Sequence, residues 1–133
     1  MPKVDSKELL KAAVVARKFA LAKHSKFKVG AALLTRGGRI IGGANVESDS
    51  YGLTCCAERV ALFKALTEGE YDFAAIAVVA RTVGGPMPCG ACRQLLVEYA
   101  PRGRIWVADT RRLAHPRSYT TKELLRHPFV LQA

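Results

Sequence analysis

The sequence has no long apolar run, and nothing in it approaches the ~20 consecutive residues of a membrane-spanning helix. Its N-terminus enters a charged, amphipathic segment directly, so no secretory hydrophobic region is expected. A cytoplasmic location and no membrane partner are therefore expected. Acidic residues are scarce, 11 Asp and Glu against 21 Lys and Arg, for a formal net charge of +10. Such a charge can attract nucleic acid without specificity. The basic residues are spread along the chain, however, with no block of five or six and no interleaved aromatics. That distribution argues for a solvated basic surface and for no specific nucleic-acid partner. Half of the residues are hydrophobic, which excludes a disordered chain. The 133 residues suffice for one core and are too few for two, so a single domain over 1–133 is expected.

Cysteine is sparse and concentrated. All four cysteines lie in Thr54-Cys55-Cys56-Ala57-Glu58-Arg59 and Pro88-Cys89-Gly90-Ala91-Cys92-Arg93-Gln94. An even count permits two disulfides, but a chain of this size without a secretory leader does not read as a disulfide scaffold. Cys89 and Cys92 alone could also be a redox pair. Cys56 upstream argues instead for one metal ion held by Cys56, Cys89 and Cys92. Thiolate ligands favour zinc, and three protein ligands leave a position for water. Glu58 follows Cys56 by two residues, close enough to reach that water without being a ligand. A first Cys ligand, a Glu two residues on and a later Pro-Cys-x-x-Cys are the known arrangement of zinc deaminases. Cys55 has the wrong spacing to Glu58 and is read as a free thiol. His24, His115 and His127 lie outside both segments and are read as non-ligands.

The apolar spacing of Leu9, Leu10, Ala13, Val14 and Ala16 predicts a helix over 6–22, with Asp5 and Glu8 as a capping box. Val29–Thr35 and Arg39–Ala44 read as strands joined by a Gly37-Gly38 hairpin. Residues 48–52 read as loop. Cys56 opens a helix to about Leu66, with Thr54 as a possible cap. Phe73–Ala80 is the nearly continuous apolar run of a strand covered on both faces. A helix over Gly90–Tyr99 and a strand over Arg104–Asp109 follow. Residues 110–119 read as irregular, and Thr120 with Glu123 as a capping box for a short last helix. Alternating strands and helices after a hairpin predict an α/β fold, a three-layer α/β/α sandwich around a mixed, about five-stranded sheet.

Three thiolates outweigh a zinc dication by one charge, so such a site needs something to draw charge from the sulfurs. Helix N-termini at the ligands can do so, and so can Arg59 by hydrogen-bonding a sulfur. Bound water would then ionise near neutral pH and attack the amine-bearing carbon of a nucleobase ring. Glu58 would take the water proton, pass it to the ring nitrogen and assist the loss of ammonia.

The chain resembles the homotetrameric zinc-dependent cytidine deaminases of nucleoside salvage. Beyond the metal segments, the resemblance is carried by Ser25-Lys26-Phe27-Lys28-Val29-Gly30-Ala31-Ala32-Leu33-Leu34, Asn45-Val46-Glu47, Tyr51-Gly52-Leu53-Thr54, and Glu123-Leu124-Leu125 with Phe129. It spans about residues 6–130. It implies a cytidine deaminase-like fold, one zinc ion per chain and hydrolysis of cytidine and deoxycytidine to the uridine products. It further implies that Asn45 and Glu47 bind ribose hydroxyls and that Phe27 flanks the base. Ala57 would offer its backbone N–H to the base carbonyl. Tyr51 and Phe129 would reach a neighbouring subunit's site in a homotetramer.

Several loops depart from the family pattern: Lys23-His24, Ser48-Asp49-Ser50, Arg81 with Val83-Gly84-Gly85, and Arg126-His127-Pro128. They leave open a deaminase of a modified cytosine nucleoside or another aminated heterocycle, of the blasticidin-S type. A deaminase acting on nucleic acid, and a binding module with a structural zinc, are the remaining alternatives.

Overall fold

The computed structural model describes residues 5–132, so the ends of the expected 1–133 domain lie outside it. The sheet has five strands in the order β2-β1-β3-β4-β5. They are β1 (Val29–Thr35), β2 (Ile40–Ala44), β3 (Phe73–Ala80), β4 (Arg104–Asp109) and β5 (Arg117–Thr120). The β3–β4 pair is parallel and the other neighbours are antiparallel, so the sheet is mixed as expected. The helices are α1 (Ser6–Arg17), α2 (Ala57–Thr67), α3 (Gly90–Tyr99) and α4 (Thr121–Leu124), with a 3₁₀ turn over Tyr51–Leu53.

Each face of the sheet has its own apolar layer. Leu9, Leu10 and Ala13 of α1 pack on Ala32, Leu34, Ala75, Ala77 and Val79. Ala57, Ala61 and Leu62 of α2, with Leu96 of α3, pack on Ala31, Leu33, Ile76, Val78 and Val107. Every residue of β3 is buried, which is why its sequence is continuously apolar rather than alternating. Each large aliphatic side chain buried this way is worth about 1.5–3 kcal/mol. Two strand glycines bring helices unusually close. A Cβ on Gly43 would lie 2.5 Å from the Ala61 nitrogen and 2.7 Å from the Ala57 carbonyl oxygen, and one on Gly30 would lie 2.1 Å from the Ala13 oxygen.

Four local expectations are corrected. The first helix ends at Arg17, not 22, because Leu21 leaves the helical ladder for tertiary partners: its N–H donates to Asn45 O, and its carbonyl accepts from Glu47 N, both at 2.9 Å. Its N-terminus is capped on one side only, Asp5 accepting from Lys7 N and Glu8 N. The cap of α2 is Cys56 rather than Thr54, whose hydroxyl instead accepts from Ser48 N at 3.1 Å. Within the segment expected to be irregular, Arg117–Ser118–Tyr119 pairs with β4 as part of β5. That edge strand has no buried residue, so no apolar alternation marks it. The Thr120–Glu123 capping box is present in both directions.

Candidate active site

Both cysteine segments end a loop and begin a helix. Cys56 caps α2 and Cys89 caps α3, each with extended backbone angles and no side chain bonded to the first helical N–H groups. Those groups are left to favour negative charge on the cysteines. Cys92 lies one turn into α3 and is 1% exposed. The sulfurs of Cys56, Cys89 and Cys92 all lie within 4.8 Å of one another. The Cys56–Cys89 separation is 3.8 Å and the Cys89–Cys92 separation 3.5 Å. Tetrahedral zinc with Zn–S bonds of about 2.3 Å places its sulfurs about 3.8 Å apart, so this donor set fits zinc. Cys55 stands outside the group, and its thiol is pushed up chiefly by burial. Among the described residues no histidine joins it.

The charges around the thiols are uneven. Cys56 is pulled down to about 5, chiefly by the neighbouring Cys92 thiol and then by Arg59 and Cys89. The closeness of Cys56, with burial, pushes Cys92 up. Arg59 Nη2 donates to Cys56 Sγ at 3.5 Å and to Thr54 O at 3.3 Å, as the need for charge withdrawal predicted. Glu58 is 5% exposed, and burial, with the negative Cys56 adding, pushes its carboxyl up to about 6.

A cavity of about 260 Å³ joins these groups to the segments that carry the family resemblance. Phe27, Asn45, Glu47, Ala57 and Glu58 line it, with Cys56 and Cys89. The Asn45 amide bridges backbone, Oδ1 accepting from Val29 N at 2.8 Å and Nδ2 donating to Phe27 O at 2.9 Å. Glu47 Oε1 accepts from His24 N and Ser25 N at 2.9 and 3.0 Å, and Oε2 accepts from Ser25 Oγ. These bonds, the Ser25 hydroxyl foremost, hold the Glu47 carboxyl below its usual range. Ser25 was not singled out from the sequence. The signal for it is local: its hydroxyl also accepts from Phe27 N, across Lys26, whose φ of 61° is the one positive value outside glycine among the described residues.

Tyr51 and Phe129 do not line this cavity. Tyr51 packs edge-on against the His24 ring, centroids 5.3 Å apart. Phe129 is tied to α3 by Gln94, which accepts from its N–H at 3.0 Å and donates to its carbonyl at 2.8 Å. Both rings are largely exposed, at 75% and 69%. Met87 and Pro86, from the loop before Cys89, complete the wall and were not anticipated. A larger apolar groove of about 650 Å³ between α1 and β2 offers only Lys64 as a polar side chain and lies apart from the thiols.

The model of the cytidine and deoxycytidylate deaminase zinc-binding region matches residues 3–108. The cytidine deaminase of Halalkalibacterium halodurans is 55% identical over 98 residues, 74% of each chain. The crystal structure of cytidine deaminase from Burkholderia pseudomallei superposes with a TM-score of 0.90 at 44% identity, covering 95% of this chain and all of that one. The blasticidin-S deaminase of Bacillus cereus is more distant, 36% identical over 89 residues, 61% of this chain and 64% of its own.

Proposed function

Because this chain belongs to the cytidine and deoxycytidylate deaminase family, we propose the following residue roles in a zinc-dependent hydrolysis of cytidine and deoxycytidine to uridine and deoxyuridine, with release of ammonia. Cys56, Cys89 and Cys92 hold the zinc ion, one per chain. When bound, zinc supplies the Lewis acidity that brings the pKa of a water near 7. Glu58 accepts a proton from the attacking water, delivers it to the ring nitrogen and then assists departure of the amino group as ammonia. The burial that raises the Glu58 carboxyl favours its taking up the water proton. Ala57, the first residue of α2, offers its N–H to the base carbonyl. Phe27 flanks the ring, and Asn45 and Glu47 face the ribose. Arg59 draws charge from Cys56.

The observation that supports these roles most is the burial of Glu58 in the same cavity as Cys56, Cys89, Asn45 and Glu47. The active form is a homotetramer in which Tyr51 and Phe129 complete a neighbour's site. Their exposure, with the open apolar groove that Phe19 and Val15 flank, supports this assembly. No helix among the described residues is long and apolar enough to cross a membrane. The reading places the reaction on free nucleosides in the cytoplasm. The single-domain organisation over 1–133 completes the proposal.

The test is ammonia release from cytidine by zinc-replete protein, with Glu58→Gln as the blank. Turnover should vanish in the variant while zinc stays bound. Wild-type inactivity on cytidine with turnover of a modified cytosine nucleoside would transfer the substrate to the blasticidin-S type. Full activity in Glu58→Gln would overturn the role of Glu58.

A further inference from the structure

Of the basic residues behind the net charge of +10, only Arg59 is assigned to the deamination site, and others converge elsewhere in the fold. The parallel pairing of β3 with β4 places the loop after β3 beside the turn after β4. Between them lies a second cavity, of about 600 Å³, lined by Gly84, Asp109, Arg111, Arg112, His115 and Arg117 among others. Asp109 is the one acidic residue in that lining, and it is 5% exposed. Its carboxylate is consumed by Arg111, whose Nε donates to Oδ1 at 3.0 Å and whose Nη2 donates to Oδ2 at 2.8 Å. This pairing fixes the Arg111 side chain while leaving it 48% exposed. Arg112 and Arg117 form no ion pair among the described residues.

Arg117 is also packed against the loop after β3. Its guanidinium lies over Gly84, where a Cβ would be 3.4 Å from Cζ. Gly84 and Gly85 both have positive φ, 80° and 85°, and a Cβ on Gly85 would lie 2.6 Å from the Ala108 nitrogen. The loop is thus pressed onto the end of β4, and the cavity wall is set by backbone. One guanidinium held by an ion pair, two with no acidic partner among the described residues and a histidine therefore face one space with no exposed carboxylate in its lining. Guanidinium forks match phosphate oxygens two at a time, and a pre-placed fork loses little entropy on binding.

We propose that this cavity is a binding site for the phosphate groups of a small oligophosphate, distinct from the nucleoside cavity. Free pyrophosphate and the phosphate chain of a nucleotide share that chemistry. The proposal does not depend on the deamination roles assigned above.

The test is calorimetric titration of the zinc-replete protein at near-physiological salt with pyrophosphate, with a nucleoside triphosphate and with the unphosphorylated nucleoside. Saturable pyrophosphate binding is expected, with Arg112→Gln and Arg117→Gln each weakening it at least about tenfold. Arg117→Lys should recover part of the loss. The pair Lys7→Gln/Lys11→Gln on α1 removes twice the charge of either arginine variant, outside the cavity, and should change the affinity less than about twofold. Cytidine turnover and zinc content of each variant report that it is folded. Tighter binding of the triphosphate than of pyrophosphate assigns the site to nucleotides, and equal binding assigns it to free oligophosphate. The proposal is overturned if binding is absent, if it weakens equally in the Lys7/Lys11 pair, or if the heat survives in the arginine variants because pyrophosphate is extracting zinc. Single-stranded DNA binding without pyrophosphate binding would overturn it too.

Discussion

The guanidinium of Arg59 donates from Nη2 to the sulfur of Cys56 at 3.5 Å and to the carbonyl of Thr54 at 3.3 Å, while its buried Nε has no partner. One cation therefore ties the first metal ligand to the strand-like segment that precedes it. In the proposed zinc site it would also offset the excess charge of three thiolates around a dication. Arg59→Ala should speed zinc loss to a chelator and lower kcat about 10–100-fold, the usual cost of removing a group that supports a metal ligand. Arg59→Lys should recover only part, because a single ammonium cannot copy the fork. Unchanged zinc retention and unchanged kcat in Arg59→Ala would remove this role.

The closeness of α2 to β2 carries a prediction about stability. The Gly43 Cα hydrogen faces the first and second turns of the helix that begins beside Cys56, with no room for a methyl group. Gly43→Ala must push α2 off the sheet, at a cost of about 1–3 kcal/mol. The same displacement moves Ala57 and Glu58. Urea unfolding should show the loss of stability, and zinc affinity should fall with it. A variant of wild-type stability would mean that the packing relaxes elsewhere.

Much of the molecule follows from local pattern. The β3 run Phe73–Ala80, the α3 span Gly90–Tyr99 and the β4 span Arg104–Asp109 agree with the sequence reading residue for residue, since buried strands and a helix ended by Pro101 leave strong signals. The cysteine spacing likewise revealed the metal group. What was not legible depends on tertiary contact. The polar edge strand β5 shows itself only through its bonds to β4. The end of α1 is set by Leu21 finding Asn45 and Glu47. The glycines at 30 and 43 look like strand weaknesses until the helices above them are placed. The arginine-lined cavity likewise joins residues near 84 and 111–117 that only the β3–β4 crossover brings together.

The last helix should respond to acid in a defined direction. Glu123 accepts from Thr120 N at 3.0 Å, and this bond, with the Thr120 side chain next, holds its carboxyl below the usual range. A carboxyl lowered in the folded state contributes stability above its unfolded value of 4.5, and loses it as pH falls through the lower folded value. Wild type should therefore resist urea better than Glu123→Gln at neutral pH. The difference should shrink as pH drops below 4.5. A gap between the two proteins that stays constant across that range would show that the charge of Glu123 is not what secures the cap.

The exposure of Phe129 leads to a test of shared sites. Gln94 clamps the Phe129 backbone against α3, yet its ring does not enter the cavity of its own chain. If the ring completes a neighbour's site, Phe129→Ala and Glu58→Gln damage different sites when the two chains assemble together. A Phe129→Ala chain keeps its own Glu58, and a Glu58→Gln neighbour can supply the missing ring. Each variant alone should deaminate cytidine poorly, the first chiefly through a raised KM. Mixed and reassembled, they should regain a fraction of wild-type activity, with the KM of the restored sites close to normal. Mixing without any gain, under conditions where native mass spectrometry shows hybrid tetramers, would place the function of Phe129 within its own chain.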